Sequence, residues 1–315
     1  MKENKIKFLK EGIFFTAVFM SIALILNLAY LKFIEPQRLI QKRDAIYRQF
    51  LQNSANRELD LAFFGDSHPD GDVDTSYIKN SFLFAQGGQS YVETYYELKK
   101  VLNDKVKIKN IVLQLDLHTF SAIPRSEDKL FRELYYYSQF IGIKDIAKLR
   151  KESLLSIFFQ ENIMFLGKGN ELITNALIHL GLIPPTGSPK ELSKNAKTAY
   201  AAHFGLNPTI EISEQTFDYF LNTLRLAKEN GINIIFVKYP LSKQYELETE
   251  KYNLDKEGYY DKVFAEIDKV IGEHAVFDGY GIYFDNPEYF WDSEHLNALG
   301  SEVFSKKLNE YFSSK

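Results

Sequence analysis

Cysteine is missing from all 315 residues. Its absence excludes disulfides, a thiol nucleophile, cysteine-ligated metal and a lipid-modified cysteine anchor. Long basic runs are missing too. With 38 basic against 42 acidic residues the net charge is −4, so nucleic acid is not an expected partner. No internal repeat or low-complexity segment breaks the chain. Histidine is scarce: His68, His118, His179, His203, His274 and His295 are the six available bases of that type. Aromatic residues, at 15%, are abundant, and most are expected in a core.

One stretch lacks charge altogether. Residues 12–31 read GIFFTAVFMSIALILNLAYL, with Thr16, Ser21 and Asn27 as the only polar interruptions. About 20 such residues cross a bilayer core as a helix. A secretory signal would have a shorter apolar core and a small-residue cleavage site, so an uncleaved single-pass anchor is expected. Lysines 2, 5, 7 and 10 precede the span and five basic residues follow it between 32 and 48, so charge alone does not orient it. The expected placement is a cell membrane with the short tail inside and the large domain outside.

After the anchor, apolar residues from 39 to 51 fall at helical spacing. Short apolar runs at 61–64, 82–85, 110–117, 232–237 and 275–277 read as strands. Between them, 91–102, a segment from Ser213 to Gly231, 257–271 and 298–312 read as helices. Residues 126–182 show helical patterns only, including one helix over 145–159 and another over 170–182, followed by a polar stretch to Pro208. The expected organisation is a tail and anchor over 1–34, a juxtamembrane helix over 35–57, and a domain over 58–315 with a helical insertion at about 121–212. Strands alternating with helices imply a parallel sheet covered on both faces.

Two of these strands end in glycine turns. The first is followed by Gly65-Asp66-Ser67-His68 and the second by Gln86-Gly87-Gly88-Gln89-Ser90. Parallel strands place such turns side by side at their carboxyl ends. Ser67 is a weak nucleophile unless a base, an orienting group and oxyanion donors are supplied. His295 is the preferred base because Asp292 lies three residues before it, close enough to hold the imidazole in its accepting tautomer. The N–H groups of Ser67 and Gly88 are the expected oxyanion donors. His68, Gln89 and His118 are possible substrate contacts. The bland readings are a simple turn at Gly-Asp-Ser, a helix cap at Asp292 or Asn297, and packing for His118, His179 and the Tyr135–Tyr137 run. The acidic pattern Asp66, His68, Asp70, Asp72, Asp74 could suggest Ca²⁺ or Mg²⁺, but it lacks the glycine and terminal acid of an EF-hand. No metal and no cofactor are expected, and a solvated acidic loop is the preferred account.

These three places resemble the SGNH (GDSL-like) hydrolase superfamily. Gly65-Asp66-Ser67 is similar to its first block, Gly87-Gly88 to its second, and Asp292-Ser293-Glu294-His295 to its last, in the same order. The third block's asparagine has no counterpart: the strand end reads Leu115-Asp116-Leu117-His118-Thr119. That loss, with the anchor, resembles the membrane-anchored subgroup that includes alginate O-acetyltransferase-like proteins and the D-alanine transfer protein of teichoic acid synthesis. The resemblance implies an α/β, flavodoxin-like three-layer sandwich with about five parallel strands. It implies an extracytoplasmic acyltransferase or esterase acting on an envelope or exported polysaccharide, beside a membrane-bound O-acyltransferase. The alternative it leaves is a non-catalytic polysaccharide-binding or scaffolding relative.

Overall fold

The structure, a computed structural model, describes residues 2–29, 42–53, 57–122, 141–157, 191–205 and 209–314. The chain divides into two compact units, one formed by Met1–Gln52 with Ile143–Thr186 and the other by Asn53–Gly142 with Gly187–Lys315.

In the first unit, helix α1 runs unbroken over Lys2–Ala29. Its part from Lys10 to Ala29 is 20 residues long with a mean hydropathy of 2.2, long and apolar enough to cross a membrane. Phe15, Phe19 and Ile25 project outward and are exposed. The hydroxyls of Thr16 and Ser21 donate to the carbonyls of Gly12 and Ala17 at 2.9 and 2.8 Å, so neither needs water. Helix α2 covers Lys42–Asn53, the later part of the expected juxtamembrane helix. The expected helix over 145–159 is interrupted: it spans Ile143–Arg150, breaks where Lys151 takes φ +53°, a left-handed conformation that cannot continue an α-helix, and is helical again over 154–157. The helices expected near Ser126 and over 170–182, with Tyr135–Tyr137 and His179, lie outside the described residues.

The second unit holds five parallel strands: β1 (Glu58–Phe64), β2 (Ser81–Leu83), β3 (Lys107–Gln114), β4 (Asn233–Lys238) and β5 (Ala275–Asp278). Their order is β2-β1-β3-β4-β5. The register sets Phe63 beside Leu83 and Val112, Val112 beside Ile235, and Ile235 beside Ala275, which brings all five carboxyl ends to one edge. β1 and β3 begin three residues earlier than their apolar runs suggest. Glu58 and Lys107, paired at 2.9 Å, open these two strands at the exposed amino edge, where no apolar side chain is needed.

Helices cover both faces, which is why the strands are apolar at nearly every central position instead of alternating. Leu61, Phe63, Val112, Ile235 and Val237 pack with Phe304 and Leu308 of helix α9 (Ala298–Ser313). On the other face lie α4 (Tyr91–Asn103), α6 (Glu214–Glu229) and α8 (Lys256–Ile271), with Phe220 set 6.0 Å from the Phe236 ring. Each such fully buried side chain stabilises the fold by about 1.5–3 kcal/mol. Ser90 starts α4 through a capping box with Glu93, Ser213 caps α6, and Asn297 caps α9. Two further helices have no strong apolar signal: α5 (Leu192–Phe204), inside the stretch read as polar, and α7 (Lys243–Lys251). α5 buries a face of small and aromatic residues, Ala196, Ala199, Tyr200 and Phe204, which hydrophobic spacing alone under-weights. The segment between β3 and β4 leaves and re-enters the sheet side by side, where Ser121 bridges Ile212.

Candidate active site

At the carboxyl edge β1 ends at Phe64 and the chain turns through Gly65 into a short helix, α3 (Ser67–Asp72), capped by Asp66. The expected glycine turn is therefore also a helix start, and Ser67 is its first residue. A Cβ on Gly87 would lie 3.8 Å from the Ser67 Cβ, so the turn after β2 runs directly past the serine. Gly87 gives its N–H to the Asp70 carboxylate at 3.1 Å, and Gly88 turns the chain at φ +81°.

The last loop closes on the same point. Phe290 and Leu296 form an isolated bridge that pinches residues 291–295 into a tight loop, with the Trp291 N–H donating to the His295 carbonyl at 2.8 Å. Inside it the Asp292 carboxylate accepts from the backbone N–H groups of Glu294 and His295, both at 3.0 Å, and lies 2.9 Å from His295 Nδ1. His295 Nε2 lies 2.9 Å from Ser67 Oγ. The cap on α9 falls to Asn297, leaving Asp292 to the imidazole. Asp292 is held at about 2: burial opposes ionisation, but the His295 ring and two backbone N–H groups outweigh it. For His295, burial pushes downward and the hydrogen bond to Asp292 upward; the net direction is up.

His68, Gln89 and His118 occupy defined positions. Gln89 is buried, donating to Glu97 at 2.9 Å and to Thr94 at 3.2 Å. His68 is buried with Nδ1 2.7 Å from the Asp116 carboxylate. His118 is half-buried, with Nε2 2.9 Å from Asp66. Burial pushes His68 down, yet Asp116, Asp66 and Asp72 together carry it up to about 10, which makes it an imidazolium at neutral pH. Asp66, His68 and His118 are near enough to share a cation, but His68 Nδ1 and His118 Nε2 are each met by a carboxylate.

Sequence reading missed the platform beneath the serine turn. Gln114, the last residue of β3, accepts from the Asp66 N–H and donates to Asp116, both at 2.8 Å. Asp116 also accepts from the Tyr239 N–H at 2.7 Å, tying the ends of β3 and β4 together. The available signal was a carboxylate directly after an apolar strand, where an unpaired charge would not be tolerated.

The acidic run is not simply a solvated loop. Asp70 holds the glycine turn, Asp74 caps the turn at Thr75–Tyr77, and Asp72 is fully buried, accepting from the Leu296 N–H at 2.7 Å. Asp72 thus fastens the residue after His295 to the helix that carries Ser67. Its second oxygen is buried with no hydrogen-bond partner among the described residues. Burial raises this carboxyl to about 7 against the opposing pull of His68 and His295. A carboxyl raised on folding holds its proton longer in the folded state, so stability falls as pH rises from about 4 to 7 and levels off above that. Asp72→Asn keeps the acceptor for Leu296 and cannot ionise. Relative to the parent it gains on the order of 2–4 kcal/mol between pH 4 and pH 8, read from urea unfolding at the two pH values.

Helix α5 also reaches this loop. Asn195 accepts from both the N–H and the hydroxyl of Ser293 at 2.8 and 2.7 Å, and His203 sits 3.1 Å from Glu294.

No family model and no curated protein matches the chain. Among solved structures it is similar to a candidate acylhydrolase from Bacteroides fragilis, at 12% identity over 87% of this chain and 98% of that one, with a TM-score of 0.40. It is similar also to a GDSL-like lipase from Bacteroides thetaiotaomicron, at 11% identity over 86% and 97%, with a TM-score of 0.40.

Proposed function

We propose that this chain is a serine acyl-transfer enzyme working through an acyl-serine intermediate. The observation that carries this reading is the continuous chain from Ser67 Oγ to His295 Nε2 and from His295 Nδ1 to Asp292, with 2.9 Å at each step. Ser67 Oγ attacks the carbonyl carbon of an ester while His295 Nε2 takes its proton. The tetrahedral oxyanion is met by the N–H groups of Ser67 and Gly88. The Ser67 N–H belongs to the first turn of α3 and has no intrahelical acceptor, and the glycine turn passes close by. The ester C–O bond then breaks as His295 returns the proton to the departing alcohol. A second hydroxyl compound, or water, repeats the sequence in reverse and frees Ser67.

The acyl group in this reading is acetyl and the acceptor a sugar hydroxyl of an envelope or exported polysaccharide. The apolar stretch over Lys10–Ala29 supports a single-pass anchor; in this reading the domain lies outside the membrane, beside such a polymer. A membrane-bound O-acyltransferase is the partner that would supply the acyl group.

A fluorophosphonate probe tests the nucleophile. The full chain is labelled, and Ser67→Ala is not. An unlabelled parent beside a labelled control esterase, or equal labelling of Ser67→Ala, rejects the enzyme reading in favour of a binding or scaffolding protein. Product analysis with an acetyl donor and a glycan then separates transfer from hydrolysis.

A further inference from the structure

Four of the six histidines form a continuous row at the carboxyl edge of the sheet. The ring centroids of His295 and His68 are 5.2 Å apart, those of His68 and His118 4.6 Å, and those of His118 and His203 4.2 Å. Each ring has its own carboxylate: Asp292, Asp116, Asp66 and Glu294 respectively. Acyl transfer as proposed uses only the first pair. The second is the one that touches it. His68 lies edge-to-face against His295, with 78° between the ring planes, and is shut away from water with Nδ1 on Asp116.

We propose that His68 is a positioning residue whose buried imidazolium, held by Asp116, opposes the protonation of His295 and so keeps a free base at Ser67. The inference rests on the serine-enzyme reading for its use, but its electrostatics can be observed without it. His295 is faced by Asp292 and Glu294 from its own loop and by Asp72 and His68 from α3. The three carboxylates all favour its protonated form, and His68 is the opposing charge. His68 in turn is faced by Asp66, Asp72 and Glu294, by Asp116 and His118 after β3, and by the Tyr239 ring after β4. The charge also helps the return step. An imidazolium formed at His295 beside a second imidazolium gives up its proton to the departing alcohol more readily than it would beside a neutral neighbour.

Two measurements on the full chain in detergent test this. In the first, ¹³C-labelled histidine is followed by NMR from pH 5 to pH 9. The His68 ring is expected to stay protonated throughout while His295 titrates; a His68 ring that loses its proton below about pH 8 overturns the proposal, with no variant needed. In the second, His68→Gln keeps a donor for Asp116 without the charge. Its His295 titration, and the acid limb of its fluorophosphonate labelling rate, are expected to move up by roughly one pH unit. Asp116→Asn removes the carboxylate that holds the proton on His68, so the buried ring turns neutral, and both are expected to move the same way. Limbs that stay put or move down overturn the proposal. If the parent is not labelled at all, the serine-enzyme reading fails alone, and the NMR titrations of His68 and His295 still decide the inference.

Discussion

His295→Ala is expected to lower kcat/KM for a p-nitrophenyl acetate substrate by about 10⁴–10⁶-fold under the proposed mechanism, and adding Ser67→Ala to lower it no further. Non-additivity is expected because the two residues perform one act. Without His295 Nε2, 2.9 Å from Ser67 Oγ, the serine proton has no acceptor in place, and removing the hydroxyl as well removes nothing that was still working. Asp292→Asn is milder, about 10²–10⁴-fold, since the ring and the nucleophile remain. The asparagine can still accept from the backbone N–H groups of Glu294 and His295, so the loop keeps its shape. What is lost is the charge that holds the accepting tautomer. The pH profile carries the same logic. Asp292, held at about 2, is ionised across any practical range, so it contributes no limb. His295 must be neutral to act, and it sits above the ordinary imidazole value. The acid limb of kcat/KM therefore lies above the pH expected of a free histidine and disappears in His295→Ala. Steady-state rates between pH 5 and pH 9 check both statements.

The parts of this arrangement that could be read from the chain are those that repeat or lie close together. Five apolar runs with helices between them gave a parallel sheet, and the observed order places the turns after β1 and β2 next to each other. Asp292 and His295 are three residues apart, so their pairing is a local property. The bracing of the site is not local. Asp72 meets Leu296 across 224 positions, Gln114 meets Asp66 across 48, and Asp116 meets Tyr239 across 123. In sequence these are ordinary polar residues in a loop or at a strand end; only the fold shows that they are buried and matched. The same limit hid α5, whose buried face pairs two alanines with Tyr200 and Phe204. Asp70, Asp72 and Asp74 are the plainest case. They look like a hydrated acidic patch, yet the second of them is fully buried and fixes the distance between the serine helix and the histidine loop.

Gly65→Ala is expected to destabilise the sheet domain by about 3–5 kcal/mol and to abolish labelling of Ser67 in whatever fraction still folds. Two independent penalties add at this position. The backbone stands at φ +153°, where an L-residue is strained by about 1–3 kcal/mol. A Cβ there would lie 2.6 Å from Gln114 Oε1 and 2.7 Å from Pro69 Cγ. Neither neighbour can give way cheaply. The Gln114 oxygen is the acceptor for the Asp66 N–H, and Pro69 is a buried rigid ring inside α3, two residues from the nucleophile. Any shift of Gln114 also disturbs Asp116, to which its amide donates, and through Asp116 the His68 pair. Gly231→Ala separates the two penalties. That glycine also has a left-handed backbone, at φ +68°, but a Cβ there meets nothing within 4 Å. It should cost about 1 kcal/mol, with labelling unchanged. Urea unfolding of both variants measures the difference. If Gly65→Ala costs no more than Gly231→Ala, the close packing of β1's turn against Gln114 and Pro69 is not what holds Ser67 in front of His295.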